Sequence, residues 1–313
     1  MIAFGVLAGS LLSASAASAQ TLTTLVSFNS SNGAYLRAGL IADANGNLFG
    51  TTAGGGASGD GTVFEIANTD TGYAETPTTL VSFNYSNGRA PYAGLIADAN
   101  GNLFGTTGLG GVPGYGTVFE IAKTDTGYAD TPTTLVSFNG RDGLGPHAGL
   151  IADANGNLFG TTAVGGVVNG GGSNAGTVFE IAKTDTGYAD TPTTLVSFNG
   201  SNGFYPHAGL IADANGNLFG TTVGGGVSRY GTVFEIAKTD TGYADTPTTL
   251  VSFNGSNGAS PYGGLIADAN GNLFGTTQNG GVSRFGTVFE IEGSGFVPQS
   301  SWPGCWAARA AGS

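Results

Sequence analysis

Leu40-Ile41-Ala42 and Leu48-Phe49 are short apolar runs separated by the polar stretch Asp43-Ala44-Asn45-Gly46-Asn47. Asn-Gly between apolar runs marks a hairpin, because both residues accept the positive φ of a type I′ turn. Asp43 is placed to accept a backbone N–H inside that turn. After Gly50-Thr51-Thr52 and a glycine-rich stretch, residues 61–66 alternate, with Val63 and Glu65 pointing one way and Phe64 and Ile66 the other. A last apolar run, Thr78–Phe83, follows a polar linker. The pattern predicts four antiparallel strands per unit.

The unit recurs. Gly39–Thr52 is repeated unchanged at 94–107, 149–162, 209–222 and 264–277. The run Thr-Thr-Leu-Val-Ser-Phe-Asn begins at Thr23, Thr78, Thr133, Thr193 and Thr248, at spacings of 55, 55, 60 and 55 residues. The third repeat carries five extra residues near Val167–Ala175. Fixed periods of this size mean solenoids, propellers or arrays, and four antiparallel strands per unit is the propeller pattern. The expected fold is all-β: a five-bladed β-propeller of four-stranded antiparallel blades over residues 20–292. The fifth repeat stops at Ile291 without a last strand, so the N-terminal strand Thr24–Phe28 is expected to complete that blade and close the ring.

Composition changes this picture little. Among 313 residues, 58 are Gly and 11 Pro, but the strict period and the apolar strands argue for turn chemistry rather than disorder. The net charge of −12, with nine Lys and Arg, leaves no basic face for nucleic acid or an anionic membrane. The lone Cys305 excludes an intrachain disulfide and reads as an inert tail thiol. Residues 1–19 read as a signal peptide: a small, apolar run through Ala16, then Ala17-Ser18-Ala19 as the cleavage site. No Lys or Arg precedes the run. No segment of the mature chain is long and apolar enough to span a bilayer. The expected product is secreted or at the cell surface, starting at Gln20, and monomeric. Residues 293–313, with Trp302 and Trp306, carry no repeat pattern and are assigned no role.

The polar linker spans Asn68–Pro77, 123–132, 183–192 and 238–247 and reads as a solvated hairpin connection. Its Asp125, Gly127 and Asp130 do not match the spacing of an EF-hand loop, so no metal site is assigned. No cofactor is implied.

The combination of Leu-Val-Ser-Phe-Asn-Gly, Ala-Gly-Leu-Ile-Ala-Asp-Ala-Asn-Gly-Asn-Leu-Phe-Gly-Thr-Thr and Gly-Thr-Val-Phe-Glu-Ile resembles tandem-repeat GloVer-containing bacterial exported proteins, over nearly all of residues 22–292. The Asp-x-x-Gly-Asn-Leu core alone is also similar to hairpins of regulator-type and NHL-type propeller repeats. The resemblance implies export, often with a C-terminal anchor, which this tail does not show. It implies no activity and supplies no catalytic residues.

Comparing the repeats with one another locates candidate chemistry. The Asp-Ala-Asn-Gly-Asn turn is identical in all five. The connections Ser30–Ala38 and Ala53–Asp60 and their counterparts differ, and in an up-and-down blade these share one face. Two residues before the Gly of Gly-Leu-Ile stand Arg37, Tyr92, His147, His207 and Tyr262. Each donates hydrogen bonds and offers a flat surface. If the hairpin strand is innermost, they ring the channel mouth. Before the Gly of Gly-Thr-Val stand Asp60, Tyr115, Ala175, Tyr230 and Phe285, of which Tyr115, Tyr230 and Phe285 are further ligand-binding candidates. The competing reading makes all of these packing residues.

Catalysis needs groups in distinct environments, whereas the carboxylates here are copied with the repeat, and no nucleophile motif stands beside His147 or His207. The expected function is a non-enzymatic extracellular or cell-surface repeat protein. It would bind glycan or extracellular protein multivalently or serve a structural role. The alternative is a secreted hydrolase with its site at the channel mouth.

Overall fold

The computed structural model describes residues 21–167 and 174–299. The signal peptide, residues 168–173 around the third-repeat insertion, and Trp302, Cys305 and Trp306 lie outside the described residues.

The first repeat folds as strands β1 (Ile41–Ala42), β2 (Leu48–Thr52), β3 (Thr62–Ile66), β4 (Asn68–Thr69), β5 (Gly72–Tyr73) and β6 (Thr78–Ser82). Four of them form an antiparallel sheet in the order β1-β2-β3-β6, while β4 and β5 make a separate two-stranded ribbon in the linker. The second, third and fourth repeats reproduce this sheet and ribbon. The chain is therefore all-β, with four-stranded antiparallel sheets repeated and no helix among the described residues.

The turn chemistry is local and identical in each copy. Asp43 accepts bonds from the N–H of Asn45 (3.0 Å), the N–H of Asn47 (2.9 Å) and the Asn47 side-chain amide (2.9 Å). The Gly46 N–H donates to the Asp43 carbonyl, and the Asp43 N–H donates to the Asn47 carbonyl. Gly46 has φ +81°, but Asn45 is not left-handed. The hairpin is thus a three-residue loop closed by one left-handed glycine, not the two-residue type I′ turn expected. Asp43 favours it because three donors converge on its carboxylate.

The apolar core lies between consecutive sheets. Phe49, Val63, Val81 and Phe83 of the first sheet meet Leu95, Leu103, Phe119 and Ile121 of the second. The same arrangement recurs at the next three junctions. Alternation along β3 explains it: Val63 faces the following sheet and Phe64 the preceding side, and both are fully buried. A buried threonine hydroxyl also ties each junction: Thr51 donates to the Ala93 carbonyl at 2.8 Å, and Thr106, Thr161 and Thr221 repeat the bond across the next three. The linkers are more than solvated loops. Tyr128 packs edge-on against Phe49 of the preceding repeat, with the Lys123 ammonium 4.0 Å from its ring centre. Burial pushes the Tyr128 hydroxyl up to about 12, with Glu65 and Asp43 adding to it.

The two ends depart from the repeat. The fifth sheet, Ile266–Ala267, Leu273–Thr277 and Thr287–Ile291, has three strands among the described residues. Residues 21–29 form no strand, so the expected closure by the N-terminal strand is not present. Val288 is consequently 81% exposed, where its four counterparts are fully buried. The described start of the tail does pack: Phe296 lies 5.1 Å from Phe219, taking the place that Tyr128, Tyr188 and Tyr243 occupy at earlier junctions. The Val297 N–H donates to Asp213, a side chain 1% exposed.

Candidate functional site

The two variable connections of each repeat lie against each other. The Ala34 N–H donates to the Gly54 carbonyl at 2.7 Å and the Gly54 N–H returns the bond at 3.0 Å, with equivalents in the other repeats. They share one side of the molecule, away from the Asp-Ala-Asn-Gly-Asn turns.

The segment carrying the first candidate set is fixed by three features. In four repeats a proline, Pro91, Pro146, Pro206 or Pro261, directly precedes the candidate residue. Each proline lies over a glycine of the preceding repeat; a Cβ on Gly116, which has φ +100°, would come within 2.6 Å of Pro146 Cδ. The residue before the proline is left-handed: Ala90 at φ +55°, Gly145 at +65°, Tyr205 at +63° and Ser260 at +56°, with Tyr35 at +62° in the first repeat. Non-glycine residues rarely adopt this conformation, and here the surroundings hold it. The holding bonds run from the Ala90, Gly145, Tyr205 and Ser260 N–H groups to the carbonyls of Asp60, Tyr115, Ala175 and Tyr230, each at 2.8 Å.

Tyr115 and Tyr230 of the second candidate set thus brace the first through their main chains. The side chains of Tyr115, Tyr230 and Phe285 are 41%, 48% and 91% exposed. They make no ring contact with the first set among the described contacts. Asp60 instead pairs with Arg89 of the next repeat at 3.3 Å.

The first set is brought together in one continuous row. The Arg37 guanidinium carbon lies 5.1 Å from the Tyr92 ring centre. Tyr92 meets His147 at 5.3 Å, His147 meets His207 at 5.1 Å, and His207 meets Tyr262 at 5.4 Å. Tyr205 joins the row, its ring 5.7 Å from that of His207. Sequence comparison passed over Tyr205 because it aligns with Tyr35, Ala90, Gly145 and Ser260, a set that shares backbone geometry but no side-chain chemistry common to all.

The electrostatics single out the middle of the row. Burial and, to a lesser extent, His207 beside it lower His147 from the usual histidine range to about 4. His147 Nδ1 is buried and has no hydrogen-bond partner among the described residues. Burial also lowers His207, against the raising effect of a hydrogen bond with its own main chain. Both imidazoles are thus neutral at pH 7. Each keeps a basic nitrogen, and His207 is also oriented by the main chain. The row itself contains no carboxylate. Among the described residues no group of three or more His, Cys, Asp or Glu side chains is placed to hold a metal ion. No helix of the described residues is long and apolar enough to cross a membrane.

The model of the Gloeobacter/Verrucomicrobia repeat matches residues 8–186 and 133–300. No curated protein matches the chain. Among solved structures, a luciferin-regenerating enzyme is similar at 14% identity and a TM-score of 0.42, covering 85% of this chain and 94% of that one. A protein of unknown function from Dyadobacter fermentans has 11% identity and a TM-score of 0.48, covering 80% and 77%. A glucose dehydrogenase has 11% identity and a TM-score of 0.44, covering 82% and 83%. These values transfer no chemistry. The expectation of a non-enzymatic protein is nonetheless corrected, since enzymes stand among the similar structures.

Proposed function

The chain belongs to the Gloeobacter/Verrucomicrobia repeat family, and on that scaffold we propose a hydrolase whose site is the row Arg37, Tyr92, His147, His207 and Tyr262. The reading rests on one observation: two neutral, partly buried imidazoles stand 5.1 Å apart in the middle of the row. The four-stranded sheets are taken as propeller blades. The β1 edge is taken as innermost, since the glycines beside it let main chain meet main chain across successive repeats; a Cβ on Gly94 would lie 3.4 Å from the Gly39 carbonyl. The row then borders the channel mouth.

His207 is the general base. Its neutral imidazole takes a proton from water as the water attacks a carbonyl carbon, and returns it to the leaving oxygen as the carbon–oxygen bond of the tetrahedral intermediate breaks. The hydroxyls of Tyr92 and Tyr262 and the Arg37 guanidinium are the donors for charge developing on the substrate oxygen. Glycoside cleavage in its usual form needs two carboxylates flanking the bond, and the row supplies neither. Carboxylic esters are therefore the substrate class. The leader read at residues 1–19 makes this an exported hydrolase, which the N-terminal mass of the product from its native host tests.

The test of activity is a panel of nitrophenyl esters and nitrophenyl glycosides turned over by the purified protein. Ester hydrolysis that falls at least ~100-fold in His207→Ala is expected. It should also decline on the acid side, below the ordinary histidine range, as the base takes up its proton. Turnover no faster than buffer, or an undiminished rate in His207→Ala, sinks the reading.

A further inference from the structure

The two ends of the array are complementary. Each copy of Thr-Thr-Leu-Val-Ser-Phe inside the array does two things. Thr78–Ser82 pairs with Thr62–Ile66 of its own sheet, and Phe83 then packs on Phe119 of the next sheet at 5.1 Å. At the N-terminus, Thr23–Phe28 does only the second: Phe28 packs on Phe64 at 4.8 Å, while the segment forms no strand and Leu25 is 39% exposed. At the C-terminus, Thr287–Ile291 lacks only the first. It ends a three-stranded sheet, and Val288 is 81% exposed where Val63, Val118, Val178 and Val233 are 0%.

Among the described residues, Thr23–Phe28 is not paired with Thr287–Ile291 of its own chain. Four junctions carry the threonine-to-carbonyl bond, but Thr276, the fifth counterpart, is exposed. A Cβ on Gly94, Gly149, Gly209 or Gly264 would lie 3.4 to 3.8 Å from the preceding glycine's carbonyl, whereas one on Gly39 would meet nothing within 4 Å.

We propose that Thr23–Phe28 of a second copy of this chain adds to Thr287–Ile291 as the fourth strand of the fifth sheet, joining chains head to tail. The partner is identified by identity of sequence, since the same six residues already fill this position in four sheets of one chain. The register of Thr62↔Ser82, Val63↔Val81, Phe64↔Thr79 and Glu65↔Thr78 sets the pairs. Thr287 meets Ser27, Val288 meets Val26, Phe289 meets Thr24, and Glu290 meets Thr23. Strand addition satisfies the exposed edge with main-chain bonds, and Val26 covers Val288. Such an interface joins unlike surfaces, so it generates a ring if the rotation closes and a filament if it does not.

Light scattering across a concentration series tests this on the purified protein. Multiples of the monomer mass that dissociate on dilution are expected. Val26→Asp and Val288→Arg should each abolish assembly while leaving the β circular dichroism unchanged. In a Cys305→Ser background, mixing a Val26→Cys chain with a Val288→Cys chain should give a disulfide-linked pair of the two. A monomer at every concentration overturns the proposal. So does a double variant that forms its disulfide within one chain, which would mean the chain's own strand closes its own sheet. Assembly that survives both charge substitutions overturns it as well.

Discussion

Five valines occupy the same place in five identical strands, and their environments differ only by position in the array. Val118 is fully buried between two sheets, and Val288 is 81% exposed. Replacing Val118 by Ala removes two carbons from a closed core. At ~0.8 kcal/mol per buried carbon this is ~1.6 kcal/mol of transfer, and the cavity left behind brings it to about 2–3 kcal/mol. At Val288 only about a fifth of the side chain is out of water, so the same change costs ~0.3 kcal/mol. Urea unfolding of Val118→Ala and Val288→Ala, followed by circular dichroism, measures the contrast. It should be run dilute, so that no second chain covers Val288. Repeat arrays do not always unfold in one step, so amide exchange in residues 117–121 and 287–291 gives the local stabilities in parallel. Equal losses at the two sites would refute the reasoning, since they would mean that Val288 is as covered as its counterparts.

Gly160→Ala should destabilise by about 1–3 kcal/mol, because its Cβ would come within 2.6 Å of Phe179 Cζ, and Phe179 is fully buried; thermal melting reads the loss, and an unchanged melt means the ring moves aside freely. Asp213→Ala removes acceptors for the Asn215, Asn217 and Val297 N–H groups, so residues 293–299 should become sensitive to limited proteolysis while the repeats stay resistant. His147 binds its proton in the unfolded chain near the ordinary histidine value but in the folded chain only near pH 4. Its contribution therefore favours folding above the ordinary value and is lost as pH falls from there toward 4. Burial raises Glu65, Glu120, Glu180 and Glu235, which opposes this slope, so the test is the difference between wild type and His147→Gln: the variant should lose less stability between pH 6.5 and pH 4, and parallel curves would contradict the burial of His147.

Much of the architecture was legible because it is local. The period, the hairpin, the alternation of Val63 and Phe64 and the return strand at Thr78 are set by neighbours in sequence, and each formed where the pattern placed it. The turn type was misjudged at Asn45, because Asn-Gly permits two left-handed residues but does not require them. The row was legible as a list of five aligned residues. Its continuity was not, since Arg37 and Tyr92 are 55 positions apart and touch only because consecutive sheets stack. Tyr115 and Tyr230 were legible as variable loop residues, but the bracing of the row's loops by their carbonyls was not.

Identical segments behave differently according to what covers them. Thr-Thr-Leu-Val-Ser-Phe is a paired strand at Thr78 and an unpaired segment at Thr23, and Val-Phe-Glu-Ile is core at Val118 and surface at Val288. The amino-acid sequence alone specifies the repeat, because hydrogen bonds in a turn and alternation along a strand depend on residues a few positions apart. The curvature of the array, the meeting of five distant side chains in one row, the neutral state of His147 and the open edge at Thr287–Ile291 arise only from how sheets pack. Burial is a property of what lies next to a residue in space, which the repeat itself does not encode.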